Sequence, residues 1–463
     1  MTLIDNHTPT AELQALDAAH HLHPFMDTAE IRRRGARIIT RAEGVWLWDS
    51  EGNRILDGMA GLWNVNIGYG RTELAEAAKR QMEQLPFYNT FFMTTHPPAV
   101  ALSRALAEIA PGDKTRVMYA SGGSEANDTN IRLVRHYWAT RGLPDKRIII
   151  ARKNAYHGST LAASSLGGMV AMHAQGGVVQ DIHHIDQPHW WAEGGDSDPA
   201  EFGLARARQL EEAIDRLGEG NVAAFIAEPI QGAGGVIIPP ETYWPEISRI
   251  CRERDILLIA DEVICGFGRT GNWFGSQTYD IDPDIMTIAK GMSSGYQPIG
   301  GSLIRESVAE VIEGGGEFYH GYTYAAHPVA AAVALENIRI LREEKIVERV
   351  HETTAPYMAR RWAELADHPM VGEARMRGLM GALELTPDKA ARAPFADTGT
   401  VGFLTRERSF ANGLVMRHVG DKMIISPPLV ITQEEIDTLV ELAWKTLDEG
   451  MADAKREGAF RAP

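Results

Sequence analysis

The sequence predicts an α/β protein: a large domain with a mostly parallel sheet covered by helices on both faces, and a smaller α+β domain. Three observations predict it. Short apolar runs recur through the middle of the chain, and helical stretches separate most of them. From about residue 327 the pattern changes to one long Ala-rich helix, a few strands and a closing helix. A single β-hairpin signal precedes both.

Residues 1 to about 35 are polar, contain histidines and show weak periodicity, which predicts an arm or a short helix. Val45-Trp46-Leu47-Trp48 and Arg54-Ile55-Leu56-Asp57 flank Asp49-Ser50-Glu51-Gly52-Asn53: strand, turn, strand. Helical periodicity covers 74–85 and 99–109. A strand over 116–120 leads through a Gly/Ser loop into a helix over 124–138. Strands over 147–151, 182–185, 222–227, 256–260 and 285–289 come next, with helices such as 207–217 and 244–254 between them. The final part gives a helix over 328–344, strands over 380–385, 414–419 and 422–426, and a helix over 434–447. The expected division is 1–71 (arm and part of the small domain), 72–326 (large domain) and 327–463 (the rest of the small domain).

The 463 residues are 44% hydrophobic and 23% charged, with a net charge of −16. A chain of this length buries enough surface to fold without disulfides or a structural metal. Its acidic balance argues against sequence-independent nucleic-acid binding and against docking on anionic lipid. Cys251 and Cys265 are the only cysteines. Two cannot form a disulfide framework, and they fit a reducing cytoplasm. Cys251 falls in a helical pattern and is expected in the core. The first six residues show no basic region before an apolar stretch, and no apolar run approaches ~20 residues. The expectation is a soluble cytoplasmic protein with no nucleic-acid or membrane partner.

Three motifs point elsewhere and fail on context. Gly266-Phe267-Gly268-Arg269-Thr270-Gly271 is a literal G-x-G-x-x-G. Asp261 to Cys265 separate it from its strand, and no clear helix comes after it, so a nicotinamide oxidoreductase is a remote alternative. Ile256-Leu257-Leu258-Ile259-Ala260-Asp261-Glu262 resembles the acidic strand end of a nucleotide triphosphatase, but the chain has no G-x-x-x-x-G-K-[ST]. His20-His21-Leu22-His23 and His183-His184 lack H-E-x-x-H or C-x-x-C context, so they read as surface or packing histidines and no metal is expected.

Ligands of open α/β sheets sit at the carboxyl ends of the strands. Four such ends carry unusual residues. Ser121-Gly122-Gly123-Ser124-Glu125-Ala126-Asn127 forms a lysine-free phosphate cradle at a helix start, although Ser-Gly is also an ordinary cap. Asn154-Ala155-Tyr156-His157-Gly158 offers an aromatic ring for a planar ligand or for the core. Asp261 ends the 256–260 strand and needs a cationic partner. Lys290 comes directly after the 285–289 strand, as a structural ion-pair member or as an amine for Schiff-base chemistry. Pyridoxal phosphate asks for all four: an anion cradle, a ring-face aromatic, a carboxylate at the ring nitrogen and a lysine for the aldehyde.

The run from Asp261 to Gly271, with Ile288-Ala289-Lys290-Gly291 after it, resembles the signature of the class III pyridoxal-phosphate aminotransferases. The resemblance covers most of the chain, with Leu56-Asp57-Gly58, Glu228-Pro229-Ile230-Gln231-Gly232 and His320-Gly321-Tyr322-Thr323-Tyr324 in the family's order. It makes Gly266 to Gly271 part of that signature. It implies fold type I, pyridoxal 5'-phosphate as cofactor, and an obligate homodimer with sites at the subunit interface, or a tetramer of such dimers. Lys290 would carry the cofactor and shuttle the substrate proton. Asp261 would keep the pyridine nitrogen protonated. Val263 and Tyr156 would cover the two ring faces, and Gly123 and Ser124 would hold the phosphate. Thr323 would reach the partner's phosphate, and Glu228 would stand behind the site. The segments 61–65 and 85–92 resemble the branch that moves amino groups from ω-amino acids or primary amines to a keto acid, pyruvate first. Ile264 replaces the glutamine common in ornithine and 4-aminobutyrate members. Trp63, Phe91 and Tyr156 would shape an aromatic substrate pocket, with Phe92 expected in the core. Arg417 matches the branch's carboxylate-binding arginine. A 4-aminobutyrate or diamine aminotransferase, or an aminomutase, is the alternative within the family.

Overall fold

A computed structural model describes residues 8–462. The first six residues, expected to carry no leader, lie outside them. A three-stranded antiparallel sheet comes first: β1 (Ile39–Glu43), β2 (Trp46–Asp49) and β3 (Arg54–Leu56). The hairpin is the predicted one, and β1 adds an unpredicted edge.

The central sheet has seven strands: β4 (Lys114–Ala120), β5 (Ile148–Arg152), β6 (Ile182–Ile185), β7 (Val222–Ala227), β8 (Leu257–Asp261), β9 (Ile285–Ile288) and β10 (Gly300–Arg305). Their order is β4-β10-β9-β8-β7-β5-β6. The pairs from β9 through β8, β7 and β5 to β6 are parallel. β10 runs antiparallel to both its neighbours. Every residue of β7, β8 and β9 is buried, because helices cover both faces. On one face Ile150, Phe225 and Leu258 pack with Trp244, Ile247 and Ile250 of the helix Tyr243–Glu253. Cys251 lies in this cluster, as expected. On the other face Ile149, Ile226 and Ile259 pack with Ile131, Val134 and Trp138 of the helix Gly123–Thr140.

Local chemistry moves some helix ends from their expected positions. The helix Pro199–Leu217 starts before residue 207 because Asp198 caps it, accepting from the Ala200 N–H at 2.8 Å, with Pro199 in the first turn. The closing helix Gln433–Arg456 opens on a Thr432–Glu435 capping box and passes residue 447.

The remaining sheet is antiparallel: β11 (Val371–Arg377), β12 (Met380–Leu385), β13 (Arg417–Val419) and β14 (Lys422–Ile425), in the order β11-β12-β14-β13. Backbone bonds join β3 to this region. The Leu56 N–H donates to Gly413 O and the Val415 N–H to Leu56 O, both at 2.8 Å. The glycine loop contributes a clamp. Arg269, fully buried, donates to Asn66 Oδ1 at 3.0 Å and to the carbonyls of Leu379 and Pro427. Burial pulls its guanidinium down to about 9.

The N-terminal arm holds the helices Thr10–His20 and Thr28–Arg34, neither with a buried residue. Arg34 and Arg37 tie it to Glu407. Phe25 meets Tyr156 edge-on, ring centres 6.4 Å apart. Among the described residues no helix is long and apolar enough to cross a membrane.

Candidate active site

A cavity of about 320 Å³ opens where β4, β8 and β9 end. Its wall includes Gly123, Ser124, Tyr156, His157, Glu228, Asp261, Val263, Ile264 and Lys290. Seven of the eleven residues singled out in the sequence therefore converge on one space.

Lys290 lies two residues past the end of β9, in left-handed backbone with φ 47°. That conformation costs a non-glycine residue ~1–3 kcal/mol unless its surroundings hold it. Asn337 holds it: its side-chain amide donates to Gly291 O at 2.9 Å and to Met292 O at 3.0 Å. The Lys290 amine is buried and makes no hydrogen bond or ion pair with the described residues. Burial pulls it down to about 8, opposed by the charges of Asp261 and Glu228 and helped by that of Arg417.

Asp261 ends β8, its side chain almost completely buried. Its Oδ2 accepts from Asn127 Nδ2 at 2.8 Å and from His157 Nδ1 at 2.7 Å. A carboxylate only accepts, so the His157 proton sits on Nδ1. Oδ1 accepts the Val263 N–H at 3.1 Å, which leaves that oxygen further lone-pair capacity. His157 Nε2 is buried without a partner among the described residues. Asn127 and His157 lie within the motifs quoted from the sequence but carried no expected role. Only the fold brings them onto one oxygen.

At the cradle, Ser124 Oγ accepts the Ser159 N–H at 3.0 Å, so its own proton stays free for an anion. The helix Gly123–Thr140 starts here and contributes its N-terminal dipole. Glycine is required at 158: φ is 141°, and a Cβ there would lie 2.6 Å from Ser124 Oγ. Val263 Cγ2 would stand 3.0 Å from a Cβ at 123, so valine and cradle are already in close contact. Glu228 accepts the N–H groups of Tyr156 (3.2 Å) and Gly232 (2.9 Å), and burial raises its carboxyl above the usual range. The site thus presents free anion donors, a free amine and a desolvated carboxylate with spare accepting capacity. That set fits pyridoxal phosphate.

Four expected residues lie outside the cavity wall. Trp63 is 1% exposed and packs with Ile230, Ile264, Cys265 and Ile424, its indole N–H unpartnered. Its backbone, at φ 68°, turns there; Ile264 of the same cluster does line the cavity. Phe91 and Thr323 lie on loops away from the wall, Thr323 exposed. Arg417 opens β13, half-buried and paired with no carboxylate, close enough to Lys290 and Tyr156 to interact electrostatically. Burial lowers its guanidinium from the usual range. Phe92, expected in the core, is instead 91% exposed, in left-handed backbone at φ 56°.

A lysine and an aspartate at strand ends beside an anion cradle define a pyridoxal-phosphate enzyme of fold type I. The class III aminotransferase family model matches residues 29–447. A putrescine–pyruvate aminotransferase of Pseudomonas aeruginosa is 62% identical over 444 residues, 96% of this chain and 97% of that protein. A diaminobutyrate–2-oxoglutarate transaminase of Halomonas elongata is 40% identical, covering 92% of this chain and 93% of its own length. Among solved structures, a thermostable (S)-enantioselective ω-transaminase from Thermomicrobium roseum superimposes with a TM-score of 0.92. It is 43% identical, over 96% of this chain and 99% of that one. The Pseudomonas jessenii ω-transaminase in complex with PMP also reaches 0.92, at 38% identity over 96% and 98%. The chain belongs to the class III aminotransferases, which use pyridoxal phosphate. The nicotinamide alternative is thereby set aside, and Gly266 to Gly271 serve as the loop of the Arg269 clamp.

Proposed function

We propose that the chain moves an amino group from a primary amine of the diamine class to pyruvate. The pairing of a diamine with pyruvate is taken from the Pseudomonas aeruginosa relative. The observation that carries the reading is Arg417, which pairs with no carboxylate among the described residues and lies within electrostatic reach of Lys290 and Tyr156. A planar guanidinium without a carboxylate of its own suits the carboxylate of a keto acid. The cavity wall itself holds two carboxylates and one amine, a setting that tolerates a second ammonium on the donor.

Bound pyridoxal phosphate supplies an aldehyde that takes up amines and a ring that accepts electrons from the substrate carbon. Lys290 is the residue that would hold it covalently. Once an incoming substrate amine had displaced it from the cofactor, the desolvated Lys290 amine would be the group placed to move the substrate-carbon proton. Asp261, oriented by Asn127 and His157, would hold a proton on the ring nitrogen. Ser124 and the helix start would grip the phosphate. Tyr156 and Val263 would confine the ring, and Tyr156 is fixed through Ser159 at 2.9 Å and through Glu228.

The same proposal includes a homodimer in which Thr323 completes the partner's phosphate site. Thr323 is exposed, and Phe92, Met93, Tyr319 and Tyr324 present apolar surface nearby in sequence or in space. A cytoplasmic location accords with two unpaired buried cysteines.

The test is the visible spectrum of the purified holoenzyme. Putrescine should remove the band of the lysine-bound cofactor, and pyruvate should restore it. Restoration by 2-oxoglutarate but not by pyruvate would move the chain to the other acceptor class.

A further inference from the structure

We propose that Asp17, His21 and His23 form a site for a first-row divalent transition metal ion, of the zinc class, on the N-terminal arm and apart from the cavity. Asp17 and His21 are one helical turn apart, so they share a face at the end of the helix Thr10–His20. The helix stops there because His21 is extended, with φ −117° and ψ 132°. Two residues on, His23 falls on the same side of that extended stretch as His21.

The three donors converge. His21 Nδ1 is 3.1 Å from Asp17 Oδ1, and His23 Nε2 is 2.7 Å from Asp17 Oδ2. All three ligand atoms lie within 4.8 Å of one another, and the two rings are 4.2 Å apart at their centres. Tetrahedral zinc, with bonds of about 2.0–2.2 Å, spaces its ligand atoms roughly 3.3–3.6 Å apart. Shifts of a few tenths of an ångström to one ångström therefore admit the ion. Two imidazoles and one carboxylate suit zinc, nickel, copper or iron, and leave positions for water.

This site departs from the reading of the histidine run as metal-free surface. An aspartate one turn before H-x-H is neither H-E-x-x-H nor C-x-x-C, so those two patterns pass over it. The ion would staple the helix end to the extended stretch that leads to Phe25, whose ring meets Tyr156.

The experiment is equilibrium dialysis of the holoenzyme against Zn²⁺, with Co²⁺ visible spectra reporting the ligand field. The wild type, Asp17→Asn, His23→Ala and, as a control, His183→Ala would be compared. All three ligands are on the polar arm, and limited proteolysis of the arm gives a second readout. The wild type and the control should bind one equivalent that protects the arm from cleavage. Asp17→Asn and His23→Ala should each weaken that equivalent about tenfold or more. No bound equivalent in the wild type, or the same binding and protection in all four proteins, would overturn the assignment.

Discussion

Replacing Arg417 with alanine separates the two halves of the proposed reaction. The guanidinium is half-buried, has no acidic partner and accepts no structural duty among the described side chains. Its removal therefore leaves no orphaned carboxylate behind. The loss is the pair of charge-assisted hydrogen bonds to the keto acid. One such bond contributes about 1.5–3 kcal/mol, or roughly 10- to 150-fold in kcat/KM for pyruvate, and the second bond pushes toward the upper end. A diamine carries no carboxylate, so its half-reaction should change less than about threefold. Stopped-flow spectra of each half-reaction read the two numbers independently. The melting temperature should stay level or rise, because a desolvated unpaired charge is gone. Equal losses in both half-reactions, with a lowered melting temperature, would show that Arg417 is a structural residue and that the carboxylate clamp lies elsewhere.

Lys290→Met should abolish the absorption of the lysine-bound cofactor and reduce turnover by orders of magnitude; a normal rate would sink the mechanism. The same variant tests a pH effect in the apoenzyme. The folded-state amine titrates near 8 and the unfolded one near 10.5, so the unfolded chain binds more protons between those values. Wild-type stability should therefore rise with pH across about 8 to 10.5 by up to roughly 3 kcal/mol relative to Lys290→Met, measured by urea unfolding. His157→Ala removes one of the two donors on Asp261 Oδ2 and should lower kcat about 10- to 100-fold while sparing KM; an unchanged kcat would mean that Asn127 alone positions the carboxylate. Thr323→Ala should weaken cofactor retention about tenfold without loss of the dimer in sedimentation; retention unaffected in a proven dimer would remove Thr323 from the site.

The parallel strands were legible because burial on both faces forces continuous apolar runs, as in Val222 to Ala227. β10 was not, since Gly300-Gly301-Ser302 carries little strand character by itself. Its glycines are needed by tertiary structure: a Cβ at 300 would stand 2.8 Å from Gly122 backbone. β1 and β11 were missed for a related reason. Both are edge strands with charged residues: β1 alternates in burial, but its half-buried positions are Thr40 and Ala42 while Ile39 is exposed, and β11 shows no alternation at all. In the site, Asp261 and Lys290 could be read because one is the last residue of a buried strand and the other lies two residues past the end of the next, where the sheet fixes their positions. Trp63 could not, because a turn at positive φ decides which way the indole faces. Asn127 and His157 show the other limit. Each was visible as a residue type, yet their meeting on Asp261 depends on contacts 134 and 104 residues apart in sequence.

The Arg269 clamp has a consequence for biosynthesis. One of its acceptors, the Pro427 carbonyl, lies 158 residues further along the chain. At ribosomal speeds of about 5–20 residues per second, that carbonyl is made roughly 8–30 s after the arginine. Until then the guanidinium lacks one of its three acceptors, which favours keeping the interior around the glycine loop open to water while most of the polypeptide has already emerged. Nascent chains stalled shortly before residue 427 should therefore be readily cut by protease near the glycine loop, and chains released at full length should resist.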